Sequence, residues 1–272
     1  MLESATGIVV PLDGREPSVR AVPIAVRIGG RLELPVRLYS VSDDPGREVW
    51  LRDVAARYGS VESVAVSVEQ SDDPAAAIAR TAGDTELVCM ATSASILPHQ
   101  GRIGSIAEEV VRTVRRPVVL VGPSVLPRTG NSTGRIIAPV DGSEMSETAL
   151  GYAADLAAAA SVPLWVVTVV SRRSEAALAA DIGGAATPVV EANYVARLAR
   201  DLEERAGMVV DFEVLHRDDA SEAILEFAGD DGTVVMTTHG RSGLRRIFGG
   251  SVATAVVADS PRAVFVWRPD EE

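Results

Sequence analysis

Short apolar runs recur along the chain. Each is followed by a longer stretch in which apolar residues return at helical spacing. In the second half the runs predict strands at Arg135–Val140, Leu164–Val170, Val209–Leu215, Thr233–Met236 and Ala263–Trp267. Helices are expected between them: from Ser143 to about Ala160, from about Val189 to Ala206, over Ala220–Ala228, and from Ser251 onward. In the second of these, Val190, Tyr194, Val195, Leu198 and Leu202 fall on one face. A loop carrying Gly183, Gly184 and Pro188 leads into it. The first half has the same order in shorter pieces, with strands expected at Gly7–Leu12, Leu34–Ser40, Val61–Val68, Glu86–Met90 and Val118–Val121. Strands that alternate with helices argue for a parallel sheet with right-handed crossovers.

The two halves also resemble each other. TGIVVPLDGREPSVRAVPIA from Thr6 matches GRIIAPVDGSEMSETALGYA from Gly134, and Asp13 corresponds to Asp141. GSIAEEVVRTVRRPVVLVGP from Gly104 matches GSVATAVVADSPRAVFVWRP from Gly250. Two matches in the same order indicate a duplication. Between them GPSVLPRTGNSTG, Gly122 to Gly134, has linker composition. The expected units are 1–123, a linker over 124–134 with its boundary near Asn131, and 135–272.

Composition refines this picture. Aromatic residues are only 4% of the chain while Ala and Val abound, which favours thin parallel sheets under Ala-rich helices. The formal charge of −12 disfavours nucleic acid as a partner. It leaves a small polyanion open, because backbone N–H groups bind phosphate without net positive charge. The lone Cys89 lies in an apolar run, where a small buried hydrophobe is expected, and it can form no internal disulfide. The first residues lack a basic segment followed by an apolar stretch, and no apolar run approaches the ~18 residues of a membrane span. The expectation is a cytoplasmic protein without a membrane partner.

The stretch VVMTTHGRSGLRRIFGGSVATAVV from Val234 carries the candidate chemistry. It runs from strand through a glycine-containing loop to Gly250 and Ser251 at a helix start. Gly240 and Gly250 permit close backbone approach, and the helix N-terminus favours an anion. Arg241, Arg245 and Arg246 add positive charge beside it. Ser251 read as an ordinary N-cap remains an alternative. The stretch contains neither a Walker Gly-Lys-Ser/Thr sequence nor the Gly-x-Gly-x-x-Gly fingerprint.

This pattern resembles the universal stress protein family. Its ATP-binding members carry Gly-x-x-Gly, nine residues, then Gly and Ser or Thr after strand four. Here Gly240 is followed by nine residues and then Gly250 and Ser251, while Thr237 stands where the family's first glycine falls. The resemblance covers nearly the whole chain in two passes. It implies α/β units with open parallel five-stranded sheets of order 3-2-1-4-5 flanked by helices, a Rossmann-like, nucleotide-binding α-hydrolase-like architecture. In that order strands one and four meet at the switch point where ligands bind. The resemblance further implies ATP in the second half, with Mg2+ accompanying it and held mainly by phosphates. Pro139, Val140, Asp141 and Val169 would lie on the adenosine side. Thr237, His239, Gly240, Arg241, Gly243, Gly250, Ser251 and Val252 would surround the phosphates. Asp141 read as an Asx-turn residue capping the next helix is the alternative.

The first half keeps Asp13, Gly104 and Ser105 but has Ala91 and Ala94 at both earlier glycine positions, with SILPHQGRI between. Weak or no nucleotide binding is expected there. His99, His216 and His239 form no metal-ligand spacing, and Ser251 lacks the Gly-x-Ser-x-Gly setting of a nucleophile. A stress-response regulator is therefore expected rather than a catalyst. A family member acting only through protein contacts, or a slow ATPase, stands as the alternative. Strand five of each half is apolar and expected at a sheet edge, where it would pair the two halves as an intramolecular pseudo-dimer. A further homodimer stays open.

Overall fold

The computed structural model describes residues 4–58, 64–92, 103–125, 134–171, 187–238 and 251–269. The first half runs β1 (Gly7–Pro11), α1 (Glu16–Val19), α2 (Ala21–Leu32), β2 (Val36–Val41), α3 (Arg47–Tyr58), β3 (Val64–Glu69), α4 (Pro74–Ala82), β4 (Glu86–Ala91), α5 (Ser105–Thr113) and β5 (Val118–Val121). The second runs β6 (Arg135–Val140), α6 (Glu144–Glu147), α7 (Leu150–Ala160), β7 (Leu164–Val170), α8 (Thr187–Ala206), β8 (Val210–His216), α9 (Ala220–Ala228), β9 (Gly232–Thr237), α10 (Ser251–Asp259) and β10 (Val264–Trp267).

Each half has the order 3-2-1-4-5 with parallel neighbours. The two five-stranded sheets then join edge to edge, because β10 pairs with β5 antiparallel, giving ten strands in one sheet. Val119 faces Phe265 at the centre of that pairing. Counted from Gly104 and Gly250, these are corresponding residues, so equivalent positions meet.

The period of two along a strand sends neighbouring side chains to opposite faces. Ile8, Leu38, Val119, Ile136 and Phe265 enter one core, covered by α2, α3, α7 and α8. Val9, Val88, Val118, Ile137 and Val264 enter the other, covered by α4, α5, α9 and α10. Both cores contain residues of both halves.

The repeat extends to the helix ends. Asp73 caps α4 by accepting from the Ala76 N–H at 3.0 Å, and Gly83 ends that helix at φ +54°. Asp219 caps α9 by accepting from Ser221 and Glu222 N–H at 2.9 and 3.1 Å, and Gly229 ends it at φ +56°.

The expected first helix of the second half is interrupted. The helix from Ser143 to Ala160 is broken into α6 and α7 at Thr148 and Ala149. Thr148 donates its N–H to the Met145 carbonyl at 3.2 Å and its hydroxyl to the same oxygen at 2.7 Å. That three-residue bond tightens the turn and ends the regular ladder. The expected linker 124–134 lies outside the described residues at 126–133, and so does the boundary at Asn131.

Candidate functional site

The site begins with strands that part. β6 pairs with β9 only from Arg135 to Ile137, opposite Gly232 to Val234. Beyond that, β6 stays with β7 as far as Val140, and β9 stays with β10 as far as Thr237. The carboxyl ends of neighbouring strands thus diverge, which opens the crevice where ligands of open α/β sheets sit. In the first half β1 and β4 part in the same way after Val9 and Val88.

In the first half this produces a crevice of about 370 Å³. Asp13, Tyr39, Met90, Thr92, Gly104 and Ser105 are among its walls. Thr92 is buried, and its hydroxyl has no hydrogen-bond partner among the described residues. Gly104 precedes α5 with φ +108°, a backbone that side-chain-bearing residues rarely adopt. The crevice is already occupied at one edge. Asp13 accepts from the Arg15 N–H at 3.0 Å and from Arg15 Nε at 2.7 Å. Burial alone would raise the Asp13 pKa, but the hydrogen bonds from Arg15 and Ser18 together hold it below its ordinary value.

The second half differs at that edge. Ser143 stands where Arg15 would be. Asp141 accepts from the Ser143 N–H at 3.1 Å and the Ser143 hydroxyl at 2.6 Å. Ser143 in turn caps α6 by accepting from the Ser146 N–H at 3.2 Å, and the Ser146 hydroxyl accepts from the Asp141 N–H at 3.2 Å. The Asx turn considered above is therefore formed, and it fixes Asp141 at the strand end. Two neighbours were not singled out as site residues in the sequence. Tyr194 of α8 donates to Glu147 Oε1 of α6 at 2.8 Å. Burial first, then Glu147 and the nearby charge of Asp141, push the Tyr194 phenol upward, so it stays protonated. Helical spacing marked Tyr194 only as a packing residue, since the periodicity says nothing about its hydroxyl.

The other predicted residues are placed as follows. Pro139 is half-buried and Val140 buried on β6, and Val169 is half-buried on β7. Thr237 is the buried last residue of β9 and pairs with Trp267 in an extended strand. A threonine there meets no demand for positive φ. Thr238 follows, buried, with its N–H on the Trp267 carbonyl at 3.1 Å, as Thr92 bonds to Val121 at 2.9 Å. Ser251 opens α10 and is exposed, and Val252 packs half-buried against the second core. His239, Gly240, Arg241, Gly243 and Gly250 lie outside the described residues, as do Arg245, Arg246, Ala94 and His99. Among the described residues, no group of three or more His, Cys, Asp or Glu is placed to hold a metal ion. No described helix is long and apolar enough to cross a membrane.

An open, doubly wound α/β sheet built twice, with a switch-point crevice in each half, defines the class. The universal stress protein family model matches residues 133–268, half of the chain. Universal stress protein Rv2028c of Mycobacterium tuberculosis is 30% identical over 178 residues, which are 59% of this chain and 63% of that protein. Universal stress protein Slr1230 of Synechocystis sp. is 25% identical over 171 residues, 62% of this chain and 53% of that protein. A universal stress protein from Archaeoglobus fulgidus superposes with a TM-score of 0.63 at 18% identity, over 98% of each chain. A functionally unknown protein, PA1789, from Pseudomonas aeruginosa superposes at 0.66 and 18% identity, over 99% of this chain and 94% of its own. The chain belongs to the universal stress protein family. Its matched stretch spans less than two thirds of the length of these two sequence relatives.

Proposed function

We propose that the second half binds ATP and that the protein acts as a stress-response regulator rather than a catalyst. The observation that supports this is the parting of β6 and β9 beside an Asp141 that its own turn holds in place. In this reading Pro139, Val140 and Val169 face the adenine, and Asp141 accepts from the ribose. The N–H groups of Ser251 and Val252 at the start of α10 take phosphate, with His239, Gly240, Arg241, Gly243 and Gly250 completing the loop. Thr237 is compatible because it remains in the strand. Mg2+ would be held mainly by the phosphates.

The first half is the structural partner in this proposal. Its Asp13 is engaged by Arg15. Units 1–123 and 135–272 form an intramolecular pseudo-dimer through β5 and β10, in a cytoplasmic protein. The antiparallel pairing centred on Val119 and Phe265 supports that arrangement. A second reading, action through protein contacts without nucleotide, is favoured by one observation: Asp141 Oδ1 already serves its own turn.

The experiment is mass spectrometry of small molecules released on denaturing the purified chain, with calorimetry of ATP at millimolar magnesium. Wild type should carry or bind one nucleotide per chain. Gly250→Val, which crowds the phosphate loop, should weaken binding by about a hundredfold, the loss of one or two charge-assisted hydrogen bonds. Absence of both bound nucleotide and ATP heat in wild type overturns the proposal in favour of the protein-contact reading.

A further inference from the structure

A groove runs between the two halves, on the face of the sheet away from α5 and α10. One wall is α2 of the first half, with Ile24, Ile28 and Leu32. The other is built by the second half, with Ile136, Leu156 and Phe265. The walls are mainly apolar, as expected where two helix-covered cores approach without closing fully. Its polar groups are three arginines, Arg27, Arg31 and Arg262, together with Thr233. Among the described residues, no carboxylate lines it.

The arginines are not equivalent. Arg262 is held in place: its Nε donates to the Thr233 hydroxyl at 3.3 Å and its Nη1 to the Asp230 carbonyl at 3.5 Å. Arg27 and Arg31 stand one turn apart on α2, both half-buried, with no carboxylate or carbonyl partner among the described residues. Burial first, and then repulsion from Arg31, lower the Arg27 pKa. In a chain of net charge −12, two adjacent half-buried guanidinium groups without carboxylates are an unmatched positive site. An anion between them would relieve their repulsion, and a planar carboxylate suits their fork of donors.

We propose that this groove binds an amphipathic monocarboxylate, a fatty-acid-like anion, with its carboxylate on Arg27 and Arg31 and its apolar chain between α2 and the second half. Apolar walls with a few convergent polar groups are the usual composition of a small-molecule site. The groove lies apart from the switch-point crevices, so the proposal does not rest on nucleotide binding. Because its walls come from both halves, occupancy would couple to how the halves sit together.

The test is titration calorimetry of the full chain with octanoate, 1-octanol and acetate. Octanoate should bind with one site per chain. Octanol, which lacks the charge, and acetate, which lacks the chain, should each bind at least about tenfold more weakly. The double variant Arg27→Gln, Arg31→Gln should weaken octanoate by about tenfold or more while leaving octanol unchanged. Ala160→Trp, which fills the groove from the end of α7, should abolish both. Circular dichroism checks that each variant is folded. The proposal is overturned if octanoate gives no heat at millimolar concentration. It is equally overturned if the arginine variants bind octanoate as wild type does, or if acetate binds as well as octanoate.

Discussion

The difference between the two halves comes down to single residues. Arg15 and Ser143 occupy corresponding positions, yet one places a guanidinium on Asp13 and the other gives Asp141 a short hydroxyl and an N–H. The repeated aspartates were visible in the sequence, and so were the alanines in the first loop. What governs their availability was not, because it depends on a side chain folding back over two residues. The caps Asp73 and Asp219 were not singled out either, although each directly precedes its helix, Asp73 before Pro74 and Asp219 before Ala220. Asp219 allows a clean test. The Ser221 hydrogen bond first, then the Glu222 N–H, hold its carboxyl below the ordinary aspartate range. A carboxyl group more acidic in the folded state stabilises that state above its unfolded pKa and loses the contribution as pH falls through the lowered folded value. Asp219→Ala should therefore cost about 1 kcal/mol in urea unfolding at neutral pH, the ordinary worth of a cap. The gap between wild type and variant should shrink as pH drops below ~4. A gap that stays constant into that range would mean the carboxylate charge is not what caps α9.

At the scale of elements, apolar runs bounded by turn residues made the strands legible. Arg135–Val140, Leu164–Val170 and Val118–Val121 have the bounds read from sequence. Strand two of the first half starts later than expected, at Val36 instead of Leu34. The reason is a helix end without glycine. Glu33 adopts φ +55°, and the Leu34 N–H bonds back to the Gly29 carbonyl at 2.9 Å. Ser161 does the same after α7, at φ +53°, with Val162 N–H on Ala157 at 3.0 Å. Such a six-to-one closure is usually marked by glycine, so its signal was absent from the sequence. Where glycine is required, the cause is a neighbouring element. A Cβ on Gly122, just past β5, would lie 2.0 Å from the Val257 carbonyl oxygen of α10. That oxygen is backbone of the other half and cannot swing aside. Gly122→Ala should push the two halves apart locally and destabilise the chain by about 1–3 kcal/mol, as overpacking does. Thermal unfolding measures it, and an unchanged midpoint would show that the contact between β5 and α10 is loose.

Over the whole molecule, a linker-like stretch between two repeats suggests two units that could melt separately, whereas the packing argues otherwise. Each core draws on both halves, and the sheet passes from β5 to β10 without an edge. Val118, Val119, Leu120 and Val121 have no solvent exposure, and Val264 and Val266 across from them have none either. Parting the halves would expose this entire apolar strand pair and unpaired backbone on both sides, a template for aggregation. Unfolding one half while the other stays native would therefore carry much of the cost of unfolding both. The chain should melt in a single cooperative transition, with the calorimetric enthalpy equal to the van't Hoff enthalpy. Val119→Lys puts an unpaired charge opposite Phe265 in the first core. It should lower that one transition by several kcal/mol without splitting it. Residues 1–123 expressed alone should self-associate through β5, as sedimentation would detect. Two resolved transitions in the intact chain, or a monomeric and stable first unit, would mean that the halves are joined by the linker more than by the sheet.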